Sequence, residues 1–375
     1  MKNLYVLTIL TFATSLLFTG CGKKDIPTES ISVSETITET SESETVSETE
    51  SIDVDAPPAE GMVRSRITNE WIDPKYEDLR PLAVMTPNEA SAVPHTGISD
   101  ASILYECNVE GNMTRMMAIY EGYEQIEKIG NVRSLRDYYA YWAFEWDAII
   151  THFGGPYYID DVIAQPTTDN LSGTVLNEPF YRTSDRVAPH NAYIDPSKVA
   201  DVLDAHNISP TVRDLADETH YIFTNKSEPN TLEQYSSAEA ATFIDMSECY
   251  PLTRAYFEYN PDDQLYYRSQ HLSGSTDGPH IDAANGKQLS FSNIIIQAND
   301  YAVRDAKGYL WYATVDDSQR DAWFITNGKL IKGTWVKESD FGATRYYDEN
   351  GEEIVFNTGK TMVMIIKDDS SFDYK

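Results

Sequence analysis

The segment 103–120 reads ILYECNVEGNMTRMMAIY, and the rest of the chain is arranged around it. Two runs rich in apolar and aromatic residues flank a Glu-Gly-Asn turn, a pattern that predicts a β-hairpin. Because side chains alternate along a strand, Ile103 and Tyr105 would lie on one face of the hairpin. We expect Glu106 and Asn108 to lie together on the other face.

Strands and helices are predicted on both sides of this hairpin. The apolar run 82–85 predicts an earlier strand, and 147–153 predicts a buried strand that follows the hairpin. Ser134 and Asp137 have the spacing of a capping box, so we expect a helix to begin there and continue to about residue 146. This alternation of strands and helices indicates a mixed α/β domain over residues 61–215.

The pattern changes in the second half of the chain. Short strand-like runs are separated by turns such as Asn285-Gly286 and Asn327-Gly328, and Asn-Gly corners favour hairpins. We expect residues 235–375 to form a mostly antiparallel, β-rich domain. The predicted fold class is therefore α+β, with an N-terminal mixed α/β domain followed by a mostly antiparallel β domain.

Charge and cysteine content restrict the possible partners and cofactors. The chain has 375 residues, a formal net charge of −31 and three cysteines. A chain this acidic lacks the basic surface that nucleic acids require, so we expect no nucleic-acid partner. Three cysteines cannot form a disulfide scaffold or a four-cysteine zinc site. Since no HExxH, Walker or G-x-S-x-G motif is present either, we predict no metal and no cofactor.

The N-terminus predicts a lipid anchor. Residues 1–20 have a short charged start and an apolar run, as in a signal peptide, and the run ends in the lipobox-like sequence Phe18-Thr19-Gly20-Cys21. Cleavage before Cys21 would leave a lipidated cysteine and hold the protein at the extracytoplasmic face of the cell membrane; an uncleaved anchor is the alternative. Residues 21–60, rich in Ser, Thr and Glu, predict a disordered acidic tether.

The strongest candidate for chemistry is the sequence GNVRSLRD, residues 130–137. It places Arg133 and Arg136 near the expected start of a helix, where arginine is unfavourable unless an anion binds. Free backbone N–H groups and guanidinium groups together suit a phosphate or a carboxylate. In so acidic a chain, the same arginines could instead pair with the protein's own carboxylates, and the sequence leaves both alternatives open.

Other candidate side chains lie near predicted strand ends and in loops. We predict that carboxylates orient the arginines and that histidines line the cleft, although a lone histidine is more often structural. The candidate ligand-binding residues are Glu106, Glu110, Arg115, Arg133, Arg136, Asp137, His152, Arg186, His190 and Asn191. His280 and Asp282 are candidates in the second half, or else they hold a loop between strands. Cys107 and Cys249 could form a disulfide or remain buried free thiols.

Several motifs in series resemble those of the YerB-like bacterial lipoproteins. In order over about residues 70–370, the matching stretches are RPLAVM (80–85), ILYE (103–106), VEGNMTR (109–115), GNVRSLRD (130–137), APHN (188–191), YR (267–268), GPHID (278–282) and GTW (333–335). The chain departs from the family pattern at 86–88, Asn112 and Asn131. The resemblance implies a two-domain, membrane-anchored, extracytoplasmic protein of unassigned activity.

Three functions are compatible with these features. The first is an anchored lipoprotein that binds an anionic wall-related ligand, or a cell-envelope protein of wall synthesis, through the arginine cleft. The second is an enzyme acting on phosphodiester or pyrophosphate-linked wall precursors, with the arginines stabilising transferred charge. The third is a structural interaction lipoprotein, in which arginines and carboxylates form only a buried polar network.

Overall fold

A computed structural model of the protein describes residues 53–217, 219–272 and 277–375. The predicted signal peptide, the lipidated Cys21 and most of the predicted tether lie outside the described residues. The described residues belong to one compact unit. In this part of the chain, no helix is both long and apolar enough to cross a membrane.

Strands dominate both halves of the chain. The strands of the N-terminal half are β1 (Val63–Arg64), β2 (Trp71–Ile72), β3 (Leu82–Asn88), β4 (Ile103–Asn108), β5 (Thr114–Tyr120), β6 (Ile129–Gly130), β7 (Ile149–His152), β8 (Asn170–Ser172), β9 (Phe180–Arg182) and β10 (Ala192–Ile194). Those of the C-terminal half are β11 (Ile222–Thr224), β12 (Glu239–Ala240), β13 (Phe243–Asp245), β14 (Ala255–Asn260), β15 (Leu265–His271), β16 (Asp277–Pro279), β17 (Ser290–Phe291), β18 (Asn293–Asn299), β19 (Tyr301–Val303), β20 (Leu310–Tyr312), β21 (Asp316–Thr326), β22 (Lys329–Lys337), β23 (Arg345–Tyr347), β24 (Val355–Asn357), β25 (Thr361–Lys367) and β26 (Asp373–Tyr374).

Helices are short, and all of those in the described residues lie in the N-terminal half. The α-helices are α1 (Asp137–Phe144), α2 (Asp160–Ile163) and α3 (Val199–Ala205). The 3₁₀ turns are Pro74–Tyr76, Ile98–Asp100, Glu110–Asn112, Tyr123–Gln125, Tyr157–Ile159 and Pro196–Lys198. The N-terminal half therefore has less helix than a mixed α/β domain was expected to have, whereas the β-rich C-terminal half is as predicted.

One eleven-stranded sheet in the described residues combines strands from both halves. Its order is β12-β22-β21-β18-β25-β4-β5-β3-β7-β8, with β23 beside β22. The predicted hairpin is present as the antiparallel pair β4–β5. On its other edge β4 pairs in parallel with β25, where Ile103 lies opposite Thr361. The two halves are therefore joined by a backbone ladder in the middle of the sheet.

Both faces of the large sheet are covered. On one face, α1 packs Trp142 against Tyr105, with ring centroids 6.1 Å apart. On the other, α3 and a six-stranded sheet of β13–β17 and β26 share a core with Leu104. Helix α3 contributes Leu203 to this core, and the sheet contributes Phe257 and Tyr266. Alternate residues of β4 thus belong to different cores, as the predicted alternation requires. A strand buried on both faces needs apolar residues at nearly every position.

Helix α1 begins two residues later than the capping-box spacing predicts, because its N-cap is Arg136 and not Ser134. The backbone N–H of Arg133 donates to the carbonyl oxygen of Met85 in β3, which holds the preceding segment in an extended form. The Ser134 hydroxyl donates to the carbonyl oxygen of Phe153 at 3.3 Å and does not cap the helix. Hydrogen bonds to neighbouring strands have overridden the local signal, and the helix starts at Asp137.

The two cysteines of the described chain that could have formed a disulfide are free. Cys107 in β4 and Cys249 are both buried thiols. Burial raises the pKa of Cys249 to about 12, and it also raises that of Cys107. Both therefore stay protonated and behave as small apolar side chains.

The carboxyl ends of three strands meet at one edge of the large sheet. β3 and β7 are parallel to one another, and β3 and β4 are both antiparallel to β5. The segment 130–136 passes along this edge, since Arg133 bonds through its backbone to Met85 and to Phe153, which follows β7. In sheets with parallel strands, this edge is where ligands usually bind.

Candidate functional site

Three of the predicted arginines converge at this edge. Arg115 and Arg136 both donate to the carbonyl oxygen of Ser134, with Nη1–O distances of 2.8 and 3.4 Å. Arg136 is neutralised by Glu110, which accepts from its Nε at 2.9 Å and also from its Nη2. Burial opposes the charge of Arg136, but the bond to Glu110 raises its pKa. One of the three positive charges is therefore balanced within the protein.

The other two arginines have no carboxylate partner among the described residues. Arg115 is only 3% exposed, and the Nε atoms of Arg115 and Arg133 are both buried without a hydrogen-bond partner. Burial, together with the charges of Arg136 and Arg133, lowers the pKa of Arg115 to about 10. A buried guanidinium is unfavourable unless it is paired and hydrogen-bonded. This pair of arginines therefore has the chemistry of an anion site.

His190 adjoins the two unpaired arginines, in the loop between β9 and β10. Its Nε2 lies 3.3 Å from Glu89 Oε1 and 3.2 Å from Ser91 Oγ, while its Nδ1 is buried without a partner. Burial lowers the pKa of His190; the Glu89 carboxylate opposes this, and the charges of Arg133 and Arg115 add to it. Both contacts use the same ring nitrogen, so these side chains do not form the relay of a hydrolase triad.

Glu106 is not part of this cluster. In the hairpin register Arg115 lies opposite Cys107, so its side chain points to the face away from Glu106. Glu106 is fully buried and accepts from Arg268 Nη2 at 2.8 Å and from the Thr114 hydroxyl at 2.6 Å. It therefore ties β4 to β15 instead of orienting the arginines.

His152 and Asn191, two further candidates, are occupied by structural contacts. The His152 ring lies 2.8 Å from the Gly154 carbonyl oxygen and 3.3 Å from Asn170 Oδ1, and burial lowers its pKa. Asn191 Oδ1 accepts from Arg182 Nη1 at 2.7 Å, which braces the β9–β10 hairpin. Neither side chain is aimed at the unpaired arginines.

Arg186 and Asp137 also have partners within the protein. Arg186 donates to the carbonyl oxygens of Ala92 at 2.7 Å and Pro94 at 2.8 Å, and so fastens the His190 loop to the segment after β3. Asp137 accepts from Arg304 Nη2 at 2.6 Å. Both side chains therefore hold neighbouring segments in place and do not face the two unpaired arginines.

His280 and Asp282 have the structural role that the sequence left as their alternative. Arg268 donates to His280 Nδ1, His280 Nε2 lies 2.9 Å from His95 Nδ1, and His95 Nε2 lies 2.7 Å from the Pro87 carbonyl oxygen. Burial lowers the pKa of His95 to about 4 and also that of His280. With both rings neutral, each contact has one donor and one acceptor. Asp282 accepts from two backbone N–H groups that follow His95.

The described residues hold no cluster of metal ligands, and a large surface groove does not include the two unpaired arginines. Within residues 53–217, 219–272 and 277–375, no group of three His, Cys, Asp or Glu side chains is placed to hold a metal ion. A groove of about 840 Å³ is lined by Lys128, Tyr181, Tyr193 and Arg186, but not by Arg115 or Arg133. We place the candidate site at the arginines because two neighbouring guanidinium groups there have buried Nε atoms with no hydrogen-bond partner among the described residues.

Glu89 and Ser91 were missed by the sequence analysis. Glu89 directly follows β3, so a polar residue after an apolar strand was the available signal. Its partner His190 is about a hundred residues away in the chain, and no local pattern joins them.

Comparisons with known proteins agree with the fold. Residues 67–209 match the family model "Protein of unknown function (DUF3048) N-terminal domain", and residues 247–363 match "Protein of unknown function (DUF3048) C-terminal domain". The chain is 25% identical over 313 residues to "Putative lipoprotein YerB" of Bacillus subtilis (strain 168), covering 82% of this chain and 87% of that protein. The crystal structure of YerB from Bacillus subtilis matches with a TM-score of 0.69 at 21% identity, over 83% of this chain and 99% of that one.

Proposed function

This chain belongs to the DUF3048 family of YerB-like lipoproteins, and on that premise we propose that it binds an anionic cell-envelope ligand between Arg115 and Arg133. The two family models together match more than half of the chain, which confirms the resemblance seen in its motifs. A lipoprotein is held at a membrane, where phosphorylated and carboxylated wall components are available as ligands.

The proposed location rests on the lipobox-like sequence before Cys21. A lipid on that cysteine would hold the folded part at the extracytoplasmic face, at the end of the acidic tether. Mass spectrometry of the N-terminal peptide tests this. A diacylglyceryl group on Cys21 would support the proposal, and an intact Met1 terminus would contradict it.

One observation carries the binding proposal: in a chain of formal net charge −31, the neighbouring Arg115 and Arg133 have no carboxylate partner among the residues that the structure describes. The protein has many carboxylates, and Arg136 has one of them, yet none of those described pairs with Arg115 or Arg133. Retaining a buried charge without a partner costs stability, and functional sites commonly carry such a cost. A bound phosphate would accept from both guanidinium groups.

The proposal is tested by thermal unfolding of the full chain in a mild detergent, with and without inorganic pyrophosphate. We expect the anion to raise Tm in the unchanged protein. At a hundredfold excess over Kd, its binding should add roughly 2.7 kcal/mol to the free energy of unfolding. Arg115→Met should abolish the rise. Arg64→Met, which removes an arginine already paired with Asp55, is the control and should keep it.

Two results would decide against the anion site. If pyrophosphate shifts neither protein while Arg115→Met unfolds at a much lower temperature, the arginine has a structural role. If the shift persists in Arg115→Met, the anion binds elsewhere. Phosphate release that is lost in His190→Ala would favour the enzymatic alternative, since the charges of Arg133 and Arg115 act on the His190 ring.

A further inference from the structure

A series of aromatic rings continues outward from the arginine cluster. The guanidinium carbon of Arg136 lies 5.5 Å from the centroid of the Tyr309 ring. Tyr309 contacts Tyr158 edge to face at 5.8 Å, and Tyr158 lies 4.0 Å from Tyr157. Since Arg136 and Arg115 share the Ser134 carbonyl, the contacts are continuous from the unpaired charge to the outermost ring.

This aromatic platform, Tyr157, Tyr158 and Tyr309, combines an anchored ring, Tyr158, with an exposed ring, Tyr157, that stacks on it. Tyr158 is held by its hydroxyl, which donates to Asp305 at 3.1 Å, and by Arg304, whose guanidinium carbon lies 4.6 Å above its ring. Tyr157 is 67% exposed, so its ring face contacts solvent. A rigid ring that is already positioned binds a flat apolar surface at little entropic cost.

Resting on the proposed function, we infer that the ligand of this site is a sugar phosphate. Its phosphate would lie between Arg115 and Arg133, and the C–H face of its sugar would stack on the platform. Hydroxyl groups donate well to carboxylates, and the exposed Asp160 and Asp161 follow the platform directly in α2. The same carboxylates disfavour a second anionic group at that position, which favours a neutral sugar.

The inference is tested by isothermal titration of the full chain in detergent with three probes. These are inorganic phosphate, N-acetylglucosamine 1-phosphate and uridine 5′-monophosphate. We expect the sugar phosphate to bind about threefold to tenfold more tightly than inorganic phosphate, as expected for one added aromatic contact. Tyr157→Ala should remove this advantage and leave the affinity for inorganic phosphate unchanged. Tyr157 is exposed, so the variant should fold.

Tyr181→Ala is the matched control, because Tyr181 is also an exposed tyrosine stacked on a second one, Tyr193, at 6.0 Å. This variant should still bind the sugar phosphate more tightly than inorganic phosphate. Equal affinities for phosphate and sugar phosphate, or an equal loss of both in Tyr157→Ala, would overturn the sugar inference and leave the anion site standing. A larger gain for the uridine compound would assign the platform to a nucleobase. If no probe binds the unchanged protein, or if binding is the same in Arg115→Met, the proposed function fails as well.

Discussion

Arg115 and Glu106 are buried charges of the same hairpin, but their energetic situations are opposite. Glu106 is paired with Arg268 at 2.8 Å, with both side chains fully buried. Arg115 has one hydrogen bond to a backbone carbonyl and no ion pair among the described residues. Removing one member of a buried pair leaves the other charge uncompensated, whereas removing an unpaired buried charge relieves a cost.

Matched substitutions should separate these two cases. Glu106→Gln should lower the free energy of unfolding by about 3 kcal/mol or more, because Arg268 would keep its buried charge without a counterion. Arg115→Met, of similar volume, should leave the free energy of unfolding unchanged or raise it. Urea unfolding of both variants measures the difference. Similar losses in the two would mean that Arg115 is a structural residue.

The sequence predicted the arginine cluster better than its surroundings. Arg133 and Arg136 stand out in the sequence because arginine is unusual near a helix start, and that reason is local. Glu106 was grouped with Arg115 because both flank one turn. The face that each occupies depends on strand register, which the Glu110–Asn112 turn sets in the folded chain. Alternation alone could not supply that register.

At the scale of elements, a loop of the C-terminal half fastens onto the segment that follows β3. His280 and Asp282 contact His95 and the backbone after it, and Arg268 links this contact to Glu106. The loop was predicted from its sequence, but its partner segment was not, because the two are separated by about 185 residues. Neutral histidines at this junction make the connection sensitive to pH.

Lowering the pH should weaken this junction. An unfolded histidine has a pKa of about 6.5, whereas burial holds that of His95 at about 4 and lowers those of His280, His152 and His220. The folded state therefore binds fewer protons, and the free energy of unfolding should fall as pH drops from about 6.5 towards 4. His95 alone accounts for roughly 3 kcal/mol over that window.

Urea midpoints measured between pH 7.5 and 4.5 test this dependence. His95→Gln, whose amide can replace both ring contacts, should make the dependence on pH shallower, while His280, His152 and His220 keep their share of it. His206→Gln, at an exposed histidine of α3's C-terminus, should follow the unchanged protein. A dependence that is equally steep in all three proteins would assign the effect to other groups.

For the whole molecule, the decisive contact is the parallel pairing of β4 with β25. The hairpins on each side of it follow from short-range patterns and were predicted. The pairing itself places Ile103 opposite Thr361, and no short-range sequence pattern predicts it. The chain therefore has two sequence domains whose strands form one sheet, and the Glu106–Arg268 pair lies across the same junction.

We predict that neither half folds without the other. Cutting the chain near residue 215 would leave the backbone edges of β4 and β25 unpaired at the centre of the sheet. It would also expose the apolar core to which Leu104 and Phe257 both belong. Fragments 53–215 and 216–375 expressed separately should lack cooperative urea unfolding and near-ultraviolet circular dichroism. Co-expression of the two should restore both signals, because the missing ladder can then form between chains. Cooperative unfolding of the isolated 53–215 fragment would show that its sheet is complete without β25.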